Sequence, residues 1–162
     1  MRAIVKQVRI VVVAALACLG LTVPGAAQSG PTPSPDPEIL KTVQRMFDAM
    51  RARDTVALRA VLDSGARLVT TATRDGKPVM RVASMDRFVG SVGAATQPLD
   101  ERIVDSEVRQ DDNLATVWTR YTFYFGTQLS HCGFDAFQLF RSEAGWKVVH
   151  IADTQRREGC AP

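Results

Sequence analysis

The sequence predicts an α+β domain in which N-terminal helices pack on a mostly antiparallel sheet, and three observations carry that reading. The last third of the chain reads as three consecutive strands, Leu114–Phe125, Ser130–Arg141 and Trp146–Gln155, with Gly126 and Gly145 at the turns between them. Ahead of them, Ile39, Leu40, Val43, Met46, Phe47 and Met50 recur at the spacing that gives a helix one apolar face. Helices and strands are segregated along the chain and show no internal repeat, which favours α+β over alternating βαβ units.

The elements follow in order. Asp36-Pro37-Glu38 is a helix start: an N-cap acceptor, a proline in the first turn and an acid against the helix dipole. Asp54 caps a shorter helix through Leu62, with Leu58, Val61 and Leu62 inward and Gly65 as its stop. Strands Arg67–Thr73 and Lys77–Ala83 flank Asp75-Gly76, a strong hairpin signal. Ser84 caps a third helix, Met85–Val92. A strand near Glu101–Arg109 then turns at Asp111-Asp112-Asn113 into the C-terminal meander.

Residues 1–27 read as a secretory signal peptide. Arg2, Lys6 and Arg9 precede the apolar run Ile10–Leu21, and Gly25-Ala26-Ala27 offers small residues for cleavage. The run is about a dozen residues, whereas a membrane span needs about 20, so no stable membrane anchor is expected. Cys18 is not expected to be lipidated, because Ala15 stands where such sites usually carry leucine. Residues 28–36 form a Pro-rich tether and residues 37–162 the domain, and the mature protein is expected to be exported, periplasmic or secreted.

Removing the leader changes the electrostatic reading. The chain holds 20 basic and 17 acidic residues, three of the basic ones in the leader, so the rest carries 17 of each sign. The basic character therefore says nothing about partners, and without a Lys/Arg stripe no nucleic-acid partner is expected. Two cysteines lie beyond the leader, Cys132 and Cys160. In an oxidising compartment an even count points to a bridge between them; the alternative is a buried free Cys132 and a loose tail thiol.

A resemblance extends this reading. The first helix through Arg53-Asp54 and the Thr55–Leu62 helix resemble the opening of nuclear transport factor 2-like domains. Ala115-Thr116-Val117-Trp118, Tyr121, Phe123, Ser130-His131-Cys132-Gly133, Asp135-Ala136-Phe137-Gln138-Leu139, Gly145-Trp146-Lys147-Val148-Val149 and the Arg157-Glu158-Gly159-Cys160 tail resemble the exported bacterial branch described as SnoaL-like or lumazine-binding. The resemblance implies a cone-shaped α+β domain whose curved sheet wraps a cavity, often as a homodimer. It implies no single activity, because that superfamily hosts isomerases, dehydratases, binding proteins and inert modules.

Candidate site residues come from the register of the meander. A two-residue Gly126-Thr127 turn puts Tyr121 opposite Cys132, Thr122 opposite His131 and Trp118 opposite Asp135. One face then carries Trp118, Arg120, His131, Asp135 and Phe137, a mixture that suits a small-molecule pocket or an exposed, dimer-forming face. Trp118, Arg120, Tyr121, His131, Asp135 and Phe137 are the expected lining for a small hydrophobic or aromatic ligand. Asp135 and His131 are the candidates for proton transfer, in an isomerase or dehydratase reading. Four strand residues span about 13 Å, so these two share a face without touching, and Arg120 is the expected ion-pair neighbour of Asp135. A three-residue loop near Gly145 would instead set Asp135 opposite Asp153, raising one pKa. A purely structural dimerisation module is the third reading. His131 and His150 lack the spacing of a zinc site, and Gly90-Ser91-Val92-Gly93 lacks the setting of a nucleophile elbow or phosphate loop. No metal or cofactor is expected.

Overall fold

Asp36 starts the first helix as its composition demands. Its carboxylate accepts the Glu38 N–H at 2.9 Å and Pro37 occupies the first turn of α1 (Pro37–Ala52). The helix ends where Arg53 turns left-handed at φ 57°, and the Arg53 and Asp54 N–H groups return to the last carbonyls. Asp54 then caps α2 (Thr55–Val61), accepting from Val56 and Ala57 at 2.9 Å each. A computed structural model describes residues 34–160, so the expected leader and most of the tether lie outside the described residues.

The remaining elements are β1 (Leu62–Arg74), β2 (Lys77–Ser84), α3 (Met85–Gly93), β3 (Leu99–Asp111), β4 (Leu114–Phe125), β5 (Gln128–Ser142) and β6 (Gly145–Gln155). Chain passes directly from α2 into β1, so Gly65 lies within a strand and does not stop the helix as expected. The six strands form one open sheet in the order β2-β1-β6-β5-β4-β3. Every pair is antiparallel except β1 and β6, where the last strand inserts beside the first. This is the mostly antiparallel α+β arrangement that the sequence predicts.

The helices cover the inner face of the sheet. Ile39, Val43, Phe47 and Met50 of α1 bury against Val117, Phe137, Leu139 and Val148, with Phe47 meeting Phe137 edge-to-face at 5.9 Å. Val89 and Val92 of α3 join the same core. Trp146 is buried, and its indole N–H donates to Asp36 at 3.0 Å, so one carboxylate both caps α1 and anchors β6. Among the described residues no helix is long and apolar enough to cross a membrane.

Three irregularities set which side chains face inward. The Gly126-Thr127 turn pairs Phe125 with Gln128 as expected, but Ser130 is then skipped: Tyr124 pairs with Leu129 and Phe123 with His131. That bulge shifts the register by one residue, so Asp135 faces Thr119, Tyr121 faces Gly133 and Thr122 faces Cys132. The expected pairings of Trp118 with Asp135, Tyr121 with Cys132 and Thr122 with His131 are thereby corrected. A one-residue slip exchanges the faces of a strand, which is what happens here. A second bulge skips Val149 in β6, and a third skips Val104 in β3.

Past Asp153, β6 leaves β5 and rejoins it at an isolated bridge between Cys132 and Arg156. Between these points the Thr154 carbonyl lies over Gly133, so close that a Cβ there would sit 1.7 Å from the oxygen. The tail then curls back four residues further, and Cys160 bonds Cys132 with their Cα atoms 5.6 Å apart. The bridge closes a segment of 28 residues, a constraint on the unfolded chain worth about 3–4 kcal/mol.

Candidate functional site

Among the polar side chains on the inner face, Glu101 of β3, Tyr121 of β4, Asp135 of β5 and Asp153 of β6 gather together. Asp135 stands directly opposite Asp153 in the β5–β6 ladder, and Thr70 stands opposite Asp153 from β1. The facing carboxyls arise from a two-residue turn, Glu143-Ala144, combined with the Val149 bulge, and not from a three-residue loop near Gly145. Glu101 reaches the same point from β3, with its carboxyl within hydrogen-bonding reach of Asp135. Tyr121 is 1% exposed, Asp135 2% and Asp153 8%.

Three acids in so confined a place cannot all ionise. Burial pushes the Glu101 carboxyl up to about 7; the hydrogen bond with Asp135 partly offsets this, and the Asp153 charge adds to it. Burial, then the charge of Glu101 and the hydrogen bond to it, raise Asp135 well above the carboxylate range. Glu101 and Asp135 therefore share a proton, held on Asp135, while Glu101 titrates near neutrality. Burial also raises Asp153, although hydrogen bonds from Thr70 and Gln155 and the charge of Arg81 favour its anion. One oxygen of Asp135 (Oδ2) and one of Asp153 (Oδ1) are buried without a hydrogen-bond partner from the protein.

Burial first, and then these acids, push the Tyr121 phenol far above its ordinary value, so it stays protonated. Its hydroxyl donates to the Thr154 carbonyl at 2.9 Å, and the Phe134 N–H donates to the Thr154 hydroxyl at 3.0 Å. These bonds, with the absent Cβ of Gly133, hold the crossing of β6 over β5.

The expected lining residues divide between the two faces. Tyr121, His131, Asp135 and Phe137 face inward; Phe137 lies deep under α1, and His131 lies nearer the rim, stacked on Phe123 with centroids 4.6 Å apart. Burial, with a smaller push from Arg157, lowers the His131 pKa and keeps its ring neutral. Trp118 and Arg120 lie on the outer face instead. Trp118 is 51% exposed and stacks on Phe134 at 5.3 Å, while Arg120 pairs with Asp105 at 3.1 Å and not with Asp135. The Ser130 bulge is the physical reason for both corrections.

Glu101 is the residue that sequence reasoning missed. The signal was present: Leu99, Glu101 and Ile103 alternate on one face of β3, so an acid interrupts an inward apolar stripe.

A cavity of about 990 Å³ opens between the β1–β2 hairpin and the C-terminal tail. His131, Thr154 and Gln155 line it from the sheet side, and the Gln155 amide donates to Asp153 at 3.0 Å. Gln155 thus links the lining of this space to Asp153. A smaller cavity of about 680 Å³ lies between α1, α2 and the β5–β6 turn, and Glu101, Asp135 and Asp153 do not line it.

No protein-family model matches the chain, and no curated protein matches it. Solved structures do. A nuclear transport factor 2-like protein from Cytophaga hutchinsonii superposes with a TM-score of 0.59 at 15% identity, over 74% of this chain and 96% of that one. A nuclear transport factor 2-like protein with a cystatin-like fold from Novosphingobium aromaticivorans gives 0.60 at 13% identity, over 76% and 82%. One from Shewanella baltica, of unknown function, gives 0.56 at 15% identity, over 74% and 92%. Likeness at this level of identity speaks for the backbone, and with the helices laid against the inner face of an open six-stranded sheet it settles the architecture: the chain has the nuclear transport factor 2-like fold.

Proposed function

We propose that this domain is an exported small-molecule-binding protein whose ligand enters through the cavity beside His131 and reaches the acids on the inner face. The observation that carries the reading is the pair of buried carboxyl oxygens, on Asp135 and Asp153, that the protein itself leaves unpartnered. Folded proteins satisfy nearly all such atoms, and exceptions concentrate where a site needs them. The Phe123–His131 stack beside them suits a hydrophobic or aromatic ligand. Export draws support from the disulfide and from the sequence of residues 1–27.

A second reading is proton transfer of the isomerase or dehydratase kind, as the SnoaL-like resemblance implies. The proton shared by Glu101 and Asp135 favours it, because a group titrating near neutrality suits general acid–base work. Glu101 then joins Asp135 as the proton-transfer pair, a partner that the sequence did not offer. The outer face, where Trp118 and Phe134 stack in partial exposure, supports a homodimer as the structural alternative; sedimentation as a monomer would remove it.

The test is mass spectrometry of small molecules released on denaturing the protein purified from the exported fraction. One compound is expected at near-stoichiometric yield from the wild type, and at much lower yield from Glu101→Gln. Equal yields from the two proteins, or no compound at all, would contradict the reading.

A further inference from the structure

The cavity beside His131 is markedly basic at its outer edge, although the acids lie beneath it. Arg74 at the tip of β1, and Arg156 and Arg157 in the tail, line it against a single carboxylate, Glu158. None of these three arginines forms a salt bridge among the described residues, whereas six others do. Their guanidinium groups also donate no hydrogen bond to the described residues, so three strong donors converge on one space with nothing of the protein to bind. Ala72, Pro78 and Val79 supply an apolar wall alongside them.

The tail that carries two of the arginines is held in place by more than packing. Cys132 and Arg156 exchange both backbone hydrogen bonds at 3.0 Å, and the Cys132–Cys160 bridge locks the next turn of chain against β5. Few exposed termini are fixed so firmly. Arg157 is held close enough to His131 for its charge to act on the ring.

We infer that this cavity recognises an amphipathic organic anion, with its carboxylate or phosphate head held by Arg74, Arg156 and Arg157 and its apolar body along Ala72, Pro78 and Val79. The inference rests on the reading that the cavity holds a ligand, and it names the ligand's class. Planar guanidinium forks match both kinds of head, which makes the shared oxyanion chemistry the recognised feature. The neutral Asp135 beneath removes one charge that would oppose an anion. The disulfide becomes part of the site, because it fixes the arginines over the opening.

Calorimetric titration of the full, disulfide-bonded protein with octanoate, octyl phosphate, octanol and octylamine tests this. The two anions are expected to bind at least about tenfold more tightly than octanol or octylamine, and to weaken as salt is raised. Arg156→Gln combined with Arg157→Gln is expected to remove that preference while octanol binding stays as it was. Both arginines are exposed, so the fold tolerates the change, and circular dichroism checks it. Cys160→Ser is expected to weaken the anions selectively. Octanol binding as tightly as the anions overturns the anionic class and leaves the ligand cavity standing. Failure of every probe to bind overturns both. Full anion preference in the double arginine variant also overturns the inference.

Discussion

Gly133→Ala is expected to destabilise the protein by more than about 4 kcal/mol, enough to leave little native protein at ambient temperature. A methyl group at this position would lie 1.7 Å from the Thr154 carbonyl oxygen and 2.8 Å from its carbon, both backbone atoms that cannot rotate away. Relief requires β6 to lift off β5. Lifting it breaks the Tyr121–Thr154 and Phe134–Thr154 hydrogen bonds and pulls against the bridge that fixes Cys132 next door. The buried Tyr121 hydroxyl would then lose its acceptor, a further cost of about 1–3 kcal/mol. Gly90→Ala is the matched control, since a Cβ there meets nothing within 4 Å and alanine suits a helix better. Chemical denaturation of both variants checks the contrast. A Gly133→Ala protein within 1 kcal/mol of wild type, on the scale of an ordinary surface change of about 0.5, would show that the crossing is loose.

Asp135→Asn is expected to stabilise the protein above neutrality and to flatten its dependence on pH. Glu101 has an ordinary value of 4.5 and a folded value of about 7, so the folded state favours its neutral form. The stability this provides is complete below pH 4.5 and is lost as the pH rises through about 7. Over that window the wild type is expected to lose about 3 kcal/mol from this group. Asparagine cannot ionise, so the substitution removes the cost of keeping Asp135 protonated in the folded state, while its amide N–H can still donate to Glu101, which burial keeps raised. His131, held neutral chiefly by burial, contributes in the opposite sense, since its share is lost as the pH falls through its lowered value. It does so in both proteins, and the raised Glu101 and Asp153 carboxyls act in the other sense in both, so the difference between the two stability curves reports on Asp135. Parallel curves would mean that the folded state does not hold Asp135 protonated.

Much of the fold was legible because local chemistry specifies it. Asp36, Asp54 and Ser84 each cap the helix they introduce, and Asp75 and Gly76 take the positive φ values, 50° and 72°, that their hairpin needs. The disulfide was legible too, from the two cysteines that lie beyond the leader. The site was only half legible, and the cause is specific. Nothing in Leu129-Ser130-His131 announces that Ser130 is skipped, yet that one residue moves Asp135 to the inner face and sends Trp118 and Arg120 to the outer one. The facing of Asp135 and Asp153 likewise depends on a bulge at Val149 that composition does not mark. Glu101 could have been read from its apolar neighbours, but an acid in a strand ordinarily faces solvent.

The shared proton is the centre of this account, and carboxyl carbon chemical shifts followed by NMR across a pH titration measure it directly. With Glu and Asp side-chain carboxyls labelled, Glu101 is expected to titrate near pH 7, and Asp135 to remain protonated through that step. In Asp135→Asn the Glu101 titration should remain near 7, because burial is the largest cause of its rise and the amide N–H takes the place of the carboxyl O–H. Glu101 and Asp135 both titrating at their ordinary values, 4.5 and 3.8, would show that the two carboxyls ionise independently and that the inner face holds no proton-sharing pair.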